Sequence, residues 1–226
     1  MHSHSGTRPL PPAELPRGLV FGASVWIAAS WLVSIGVRPP LQPTSTAYTP
    51  AARMMIVALT IGIVIAWPLA RFSLTSPKRP IAAAMLDTVS LLALTQIVLW
   101  PLRLVTSWTV PRLSILAIDL ISVSVLVGGL IALLGWNRSG RTLAMIGLLA
   151  WLIGPPLIGL GLSEPQSFAA LSPLVRAWSL GGGGPAAIPP ETWVQTAVVG
   201  GVGLILWSLA IRSAPPRGLA TPAASR

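Results

Sequence analysis

Leu113-Ser-Ile-Leu-Ala-Ile-Asp119-Leu-Ile-Ser-Val-Ser-Val-Leu-Val-Gly128-Gly-Leu-Ile-Ala-Leu-Leu-Gly-Trp136 decides the fold. It carries one charge, and coiled as an α-helix at about 1.5 Å per residue it reaches roughly 36 Å, enough to cross a hydrocarbon core about 30 Å thick. A run of this length and hydrophobicity reads as a membrane-spanning helix.

Working outward, further runs of that length lie at Gly18–Val37, Met54–Ala70, Ile81–Trp100, Thr142–Leu162 and Trp193–Ile211, which makes six. Segments that cannot stay helical or dry separate them: Arg38-Pro39-Pro40, Ser76-Pro77-Lys78-Arg79-Pro80, Trp136–Arg141 and the long Ser163–Thr192 stretch. Composition agrees, since 53% of residues are hydrophobic, 9% are charged and the mean hydropathy is +0.77, against about 25% charged in a soluble domain. The expected fold is all-α, a polytopic six-helix membrane domain over residues 18–212 with cytoplasmic tails at 1–17 and 213–226.

Of the fifteen Lys and Arg residues, ten fall on one side of this threading, among them Arg17, Arg71, Lys78, Arg79, Arg138, Arg141 and Arg212; the other side receives Arg38, Arg53, Arg103, Arg112 and Arg176. Basic residues collect on the cytoplasmic face, so both termini are expected inside and the long loop outside. The net charge of +10 is then membrane anchoring and no nucleic-acid surface. Of ten Trp residues, Trp31, Trp67, Trp100, Trp108, Trp136 and Trp193 lie near expected interfaces, with Trp26 and Trp151 deeper. Fourteen Arg against one Lys, with 23 Pro and 21 Gly, suggest a bacterium with GC-rich coding, so the membrane expected is a bacterial inner membrane.

Several chemistries are disfavoured. The chain has no Cys, and its two His residues, His2 and His4, stand in a polar tail, so no thiolate, haem ligand or buried imidazole base is expected, nor any metal or cofactor. The remaining candidates are Asp87 and Asp119, intramembrane acids that are costly unless paired or hydrated, and so are candidates for a substrate or proton pathway. Each lies about 9 Å below its own face of the membrane, which separates them by roughly 12 Å in depth and forbids a dyad. Lys78 or Arg79 is the expected partner of Asp87; Arg112 or Arg103 is that of Asp119. With titratable groups so divergent, no enzyme is expected.

Gly154-Pro155-Pro156 should kink or break the fifth span and free the carbonyls of Trp151 and Leu152. Small-residue pairs at Gly18 and Gly22, Gly128 and Ala132, and Ala197 and Gly201 are expected to bring helices close. Within the long loop, Phe168–Leu180 is too short to cross; Ser172 as cap, Pro173 at the first position and Gly181 at the end make it a short re-entrant or interfacial helix carrying Arg176. A hinge at Gly181–Gly184 should follow.

Ser172-Pro173-Leu174-Val175-Arg176-Ala177-Trp178 between spans five and six, a glycine-rich turn and a last helix Trp193–Ile211 ending in Arg212 resemble the permease subunits of type 2 ATP-binding-cassette exporters, over about residues 142–212. The resemblance implies a homo- or hetero-dimer of six-helix subunits, each docked on a cytoplasmic ATPase and exporting a lipid-linked, polysaccharide, hydrophobic or haem-related compound. Such permeases present acidic and basic residues to the ATPase between spans two and three, whereas Arg71–Pro80 is short and holds no acid. The competing expectation is a non-catalytic structural or accessory subunit of a respiratory, photosynthetic or secretion complex; the third is a proton-coupled carrier working through Asp87 or Asp119.

Overall fold

The computed structural model describes residues 16–36, 44–74, 79–160, 169–183 and 186–213. The expectations placed on His2, His4, Lys78, Gly184 and both tails beyond these bounds fall outside the described residues. Seven helices are described: α1 (Arg17–Gly36), α2 (Ser45–Ser73), α3 (Pro80–Val105), α4 (Val110–Leu134), α5 (Arg138–Gly159), the short α6 (Pro173–Gly182) and α7 (Pro190–Ser213). All but α6 are long and apolar enough to cross a membrane, which is the construction of a multi-pass membrane protein.

Four of the described helices start where a side chain caps them. Thr44, Thr109 and Asn137 each accept a hydrogen bond from the backbone N–H three residues on, at Ala47, Arg112 and Gly140. These caps move several boundaries. Thr44 starts α2 nine residues before Met54, the expected start. Asn137 starts α5 at Arg138, so the turn after α4 is only a few residues long. The fifth helix continues through Pro155 and Pro156 to Gly159, so the chain does not break there; the prolines stand in the last turn and a half, where few intrahelical bonds remain to be lost.

Successive long helices run in alternate directions. One end of the bundle, here the near end, collects the start of α1, the end of α2 and the α4–α5 turn. The far end collects the α3–α4 turn and α6. The near end is tied by Arg141, which donates to the carbonyl of Gly135 at 3.0 Å and to that of Phe72 in α2 at 2.9 Å.

Helix α4 is the axis of the core. In its apolar stretch 72% of residues are buried, whereas α1 has none. Its largest contact is with α7. Asp119 meets Thr196, Ser122 meets Gly200, Leu126 meets Gly203 and Gly129 meets Leu206; the numbers rise together, so α4 and α7 run parallel. Glycine makes this approach possible, because a Cβ on Gly203 would sit 2.7 Å from the backbone N of Leu126 and one on Gly129 would sit 2.9 Å from the Cβ of Leu206. Trp207 closes the seam by donating to the Val125 carbonyl at 2.9 Å.

The small-residue expectation is therefore corrected in register. On α7 it is Gly200 and Gly203 that face α4, whereas a Cβ on Gly201, Gly18 or Gly22 would meet nothing within 4 Å. Two tryptophans also move: Trp67 and Trp108 are buried, while Trp31, Trp100, Trp136 and Trp193 are exposed. Trp67 packs its ring toward Gly128, and the Trp108 indole has a carbonyl to serve in α6.

Candidate functional site

Three neighbouring helices meet around α6 at the far end, and the site grows from the backbone groups that its sequence leaves open. Ser172 caps α6 by accepting from the Leu174 N–H at 3.2 Å, with Pro173 in the first turn, as the residue order predicts. The same hydroxyl donates to the Leu152 carbonyl of α5 at 2.6 Å. Pro156, four residues beyond Leu152, has no N–H to give that carbonyl. The double proline thus turns a helical bond into a docking point for α6. Trp151 adds a second tie, its indole donating to the Leu171 carbonyl at 3.0 Å.

One turn further on, the buried Arg176 reaches the buried Asp119 of α4, Nη2 to Oδ1 at 3.0 Å, and Thr196 of α7 donates to the same oxygen at 3.1 Å. Asp119 is thereby paired with neither Arg112 nor Arg103, its expected partners. Sequence distance hid this: Arg112 is two turns away on the same helix, yet its guanidinium turns outward from the acid and donates to the carbonyls of Leu180 at 3.0 Å and Ala186 at 2.6 Å.

The last turn of α6 is satisfied from outside as well. Arg53 of α2 donates from Nε to the Trp178 carbonyl at 2.5 Å while its guanidinium lies 3.6 Å from the Trp178 ring centroid. Trp108 donates to the Gly181 carbonyl at 3.0 Å. Cations at a helix C-terminus oppose its partial negative charge, and here two arginines also occupy the carbonyls themselves. The glycine run is explained by the same contacts. A Cβ on Gly181 would lie 3.2 Å from the Arg53 side chain, and side chains on Gly182 and Gly183 would collide with Arg53 and Arg112. Gly181 and Gly182 are thus the last residues of the helix and a seat for arginines, where a hinge was expected.

Near the opposite end, Asp87 of α3 is buried and pairs with Arg71 of α2, Nε to Oδ2 at 3.1 Å, with Trp67 beside it. The expected partner Arg79 does not hold it, because the acid faces α2 and away from the start of its own helix. The two acids therefore lie in separate ion pairs toward opposite ends of the bundle. The polar side chains around them serve their own helices: Thr88, Thr95 and Ser124 donate to the carbonyls of Ala84, Leu91 and Leu120 four residues back.

Among the described residues no group of three or more His, Cys, Asp or Glu side chains stands close enough to hold a metal ion. The arrangement can lock α6 to α2, α4 and α5 at once, and that is a mechanical property. What the sequence reading missed is the pairing: it singled out Asp119, Arg176, Ser172 and the double proline one by one. The available signal was stoichiometric, one buried acid and one unexplained arginine at the same end of the membrane. No family model, no curated protein and no solved structure matches the chain.

Proposed function

We propose that this chain is the membrane-embedded, permease-like subunit of an ATP-binding-cassette exporter in a bacterial inner membrane, with the near end and both termini cytoplasmic and α6 a re-entrant element of the outer face. The observation that carries the reading is α6 itself. A short helix between the fifth and sixth spans is held inside the bundle by a buried ion pair, a hydroxyl bond to a proline-freed carbonyl and two arginine caps. A loop that only joined two spans would have no need of these contacts. The orientation is supported by the basic residues of the near end, Arg17, Arg71, Arg79, Arg138, Arg141 and Arg212. On the far end Arg53, Arg112 and Arg176 are consumed by α6.

A second reading, the structural or accessory subunit of a larger complex, draws on a different observation. Asp87 and Asp119 each face an arginine of the same chain. Paired in this way they resemble internal staples more than a relay, which also weakens the proton-carrier reading.

Purification of the tagged full-length chain from its own membranes in mild detergent separates the two. The exporter reading expects a near-stoichiometric ATPase subunit that hydrolyses ATP in the isolated complex. A large cofactor-bearing assembly without an ATPase would establish the second reading, and a chain recovered alone would contradict both.

A further inference from the structure

Helix α1 lies on the outside of the bundle, with Leu19, Ala23, Ile27 and Ile35 half-buried against the core. It has no buried residue, and one hydrogen bond, from the Trp26 indole to the Ala58 carbonyl of α2 at 3.0 Å, ties its middle to the rest. Gly62 makes room for that indole, since a Cβ there would come within 2.8 Å of Trp26 Nε1. It lies where α2 takes a wide turn over Gly62–Ala66, just before Pro68. Toward the near end the two helices part, leaving an apolar groove of about 220 Å³ between α1, α2 and α3.

The groove is lined along α1 from Gly18 to Ile27 and along α2 from Leu59 to Ala70. At about 1.5 Å per residue these walls run roughly 14–16 Å, the thickness of one leaflet of hydrocarbon, and they begin at the near-end surface. Of the three polar side chains in the lining, Trp26 is spent on Ala58, Thr95 on the Leu91 carbonyl at 2.8 Å, and the buried Trp67 lies beside Asp87, so the interior asks for an apolar occupant. The mouth asks for something else. Arg17, adjacent in sequence to the first lining residue Gly18, is exposed, and the first turn of α1 is preceded by Pro16, which offers no side-chain cap. A cation beside the positive end of an uncapped helix complements a phosphate.

We propose that this groove binds one anionic phospholipid of the near-end leaflet, an acyl chain lying between α1 and α2 and the headgroup phosphate at Arg17. The inference does not depend on the exporter reading. It is tested with the full-length chain in detergent micelles by native mass spectrometry, with phosphatidylglycerol or phosphatidylcholine as probe.

One phosphatidylglycerol should be retained, with about a fivefold preference over phosphatidylcholine, as one cation near a charged surface supplies. Gly22→Leu adds its side chain into open space and should leave the unfolding temperature unchanged while reducing retention of both lipids by about tenfold. Ala70→Leu, on the facing wall, should do the same. Arg17→Gln should keep the lipid and lose the headgroup preference. Unchanged retention in both groove-filling variants would overturn the proposal. So would a disulfide-linked dimer of Gly22→Cys, the sole thiol in the chain, because it would put a second copy in the groove.

Discussion

Asp119→Ala is expected to destabilise the bundle by about 3–5 kcal/mol, because it strands the Arg176 guanidinium without a counter-charge in an apolar surrounding. Both side chains are 3% exposed and 3.0 Å apart, so water cannot take over the missing partner. Arg176→Met should cost a comparable amount, now by leaving the carboxylate with only the Thr196 hydroxyl. The double variant Asp119→Leu/Arg176→Met should recover most of the loss, since a well-packed apolar pair can replace a buried ion pair at little net cost. Unfolding in a denaturing detergent series gives all three values, and the cycle isolates the pairing energy. Strictly additive losses would mean that the two residues do not share a bond. Limited proteolysis around Leu171 should increase in the single variants, because α6 loses its attachment to α4.

The second large effect belongs to the seam between α4 and α7. Gly203→Val should lower stability by at least the upper part of the ~1–3 kcal/mol range for overpacking, because its side chain would meet the backbone N and Cα of Leu126 at 2.7 and 2.9 Å, and backbone cannot rotate away. α7 buries only Thr196, Gly203 and Ala210, so few other contacts would keep it in place. Gly201→Val is the matched control: it stands on the same helix with nothing within 4 Å, and should leave the thermal midpoint unchanged. Equal damage from both substitutions would show that the close approach to α4 does not decide the cost at these sites, since Gly→Val does not lower helix propensity.

The number of spans was legible because it depends on length and hydrophobicity alone, and a stretch such as Leu113–Trp136 leaves few alternatives. Boundaries drifted where one capping side chain, Thr44 or Asn137, outweighed the apolar pattern. The cap at Ser172 was readable for the same reason that the others were, a short-range bond between neighbours in sequence. Asp119–Arg176 and Arg71–Asp87 were not readable, because candidate partners one or two turns away offered equally good local explanations. The choice between them is made by which helices pack together, and periodicity in a span that is apolar all round says little about that. The glycines illustrate the same limit. Gly200, Gly201 and Gly203 are alike in composition, and only the register of α4 against α7 decides that the first and last touch it.

The whole construction requires the near and far ends to lie on opposite sides of a membrane. Because the chain has no cysteine, Ser139→Cys at the near end and Ala187→Cys at the far end each provide a unique thiol at an exposed position. With a membrane-impermeant maleimide on intact cells, the Ala187→Cys variant should be labelled directly and the Ser139→Cys variant only after the membrane is opened. Labelling of both from one side would contradict the six crossings, and labelling in the reverse order would contradict the cytoplasmic placement of the near end.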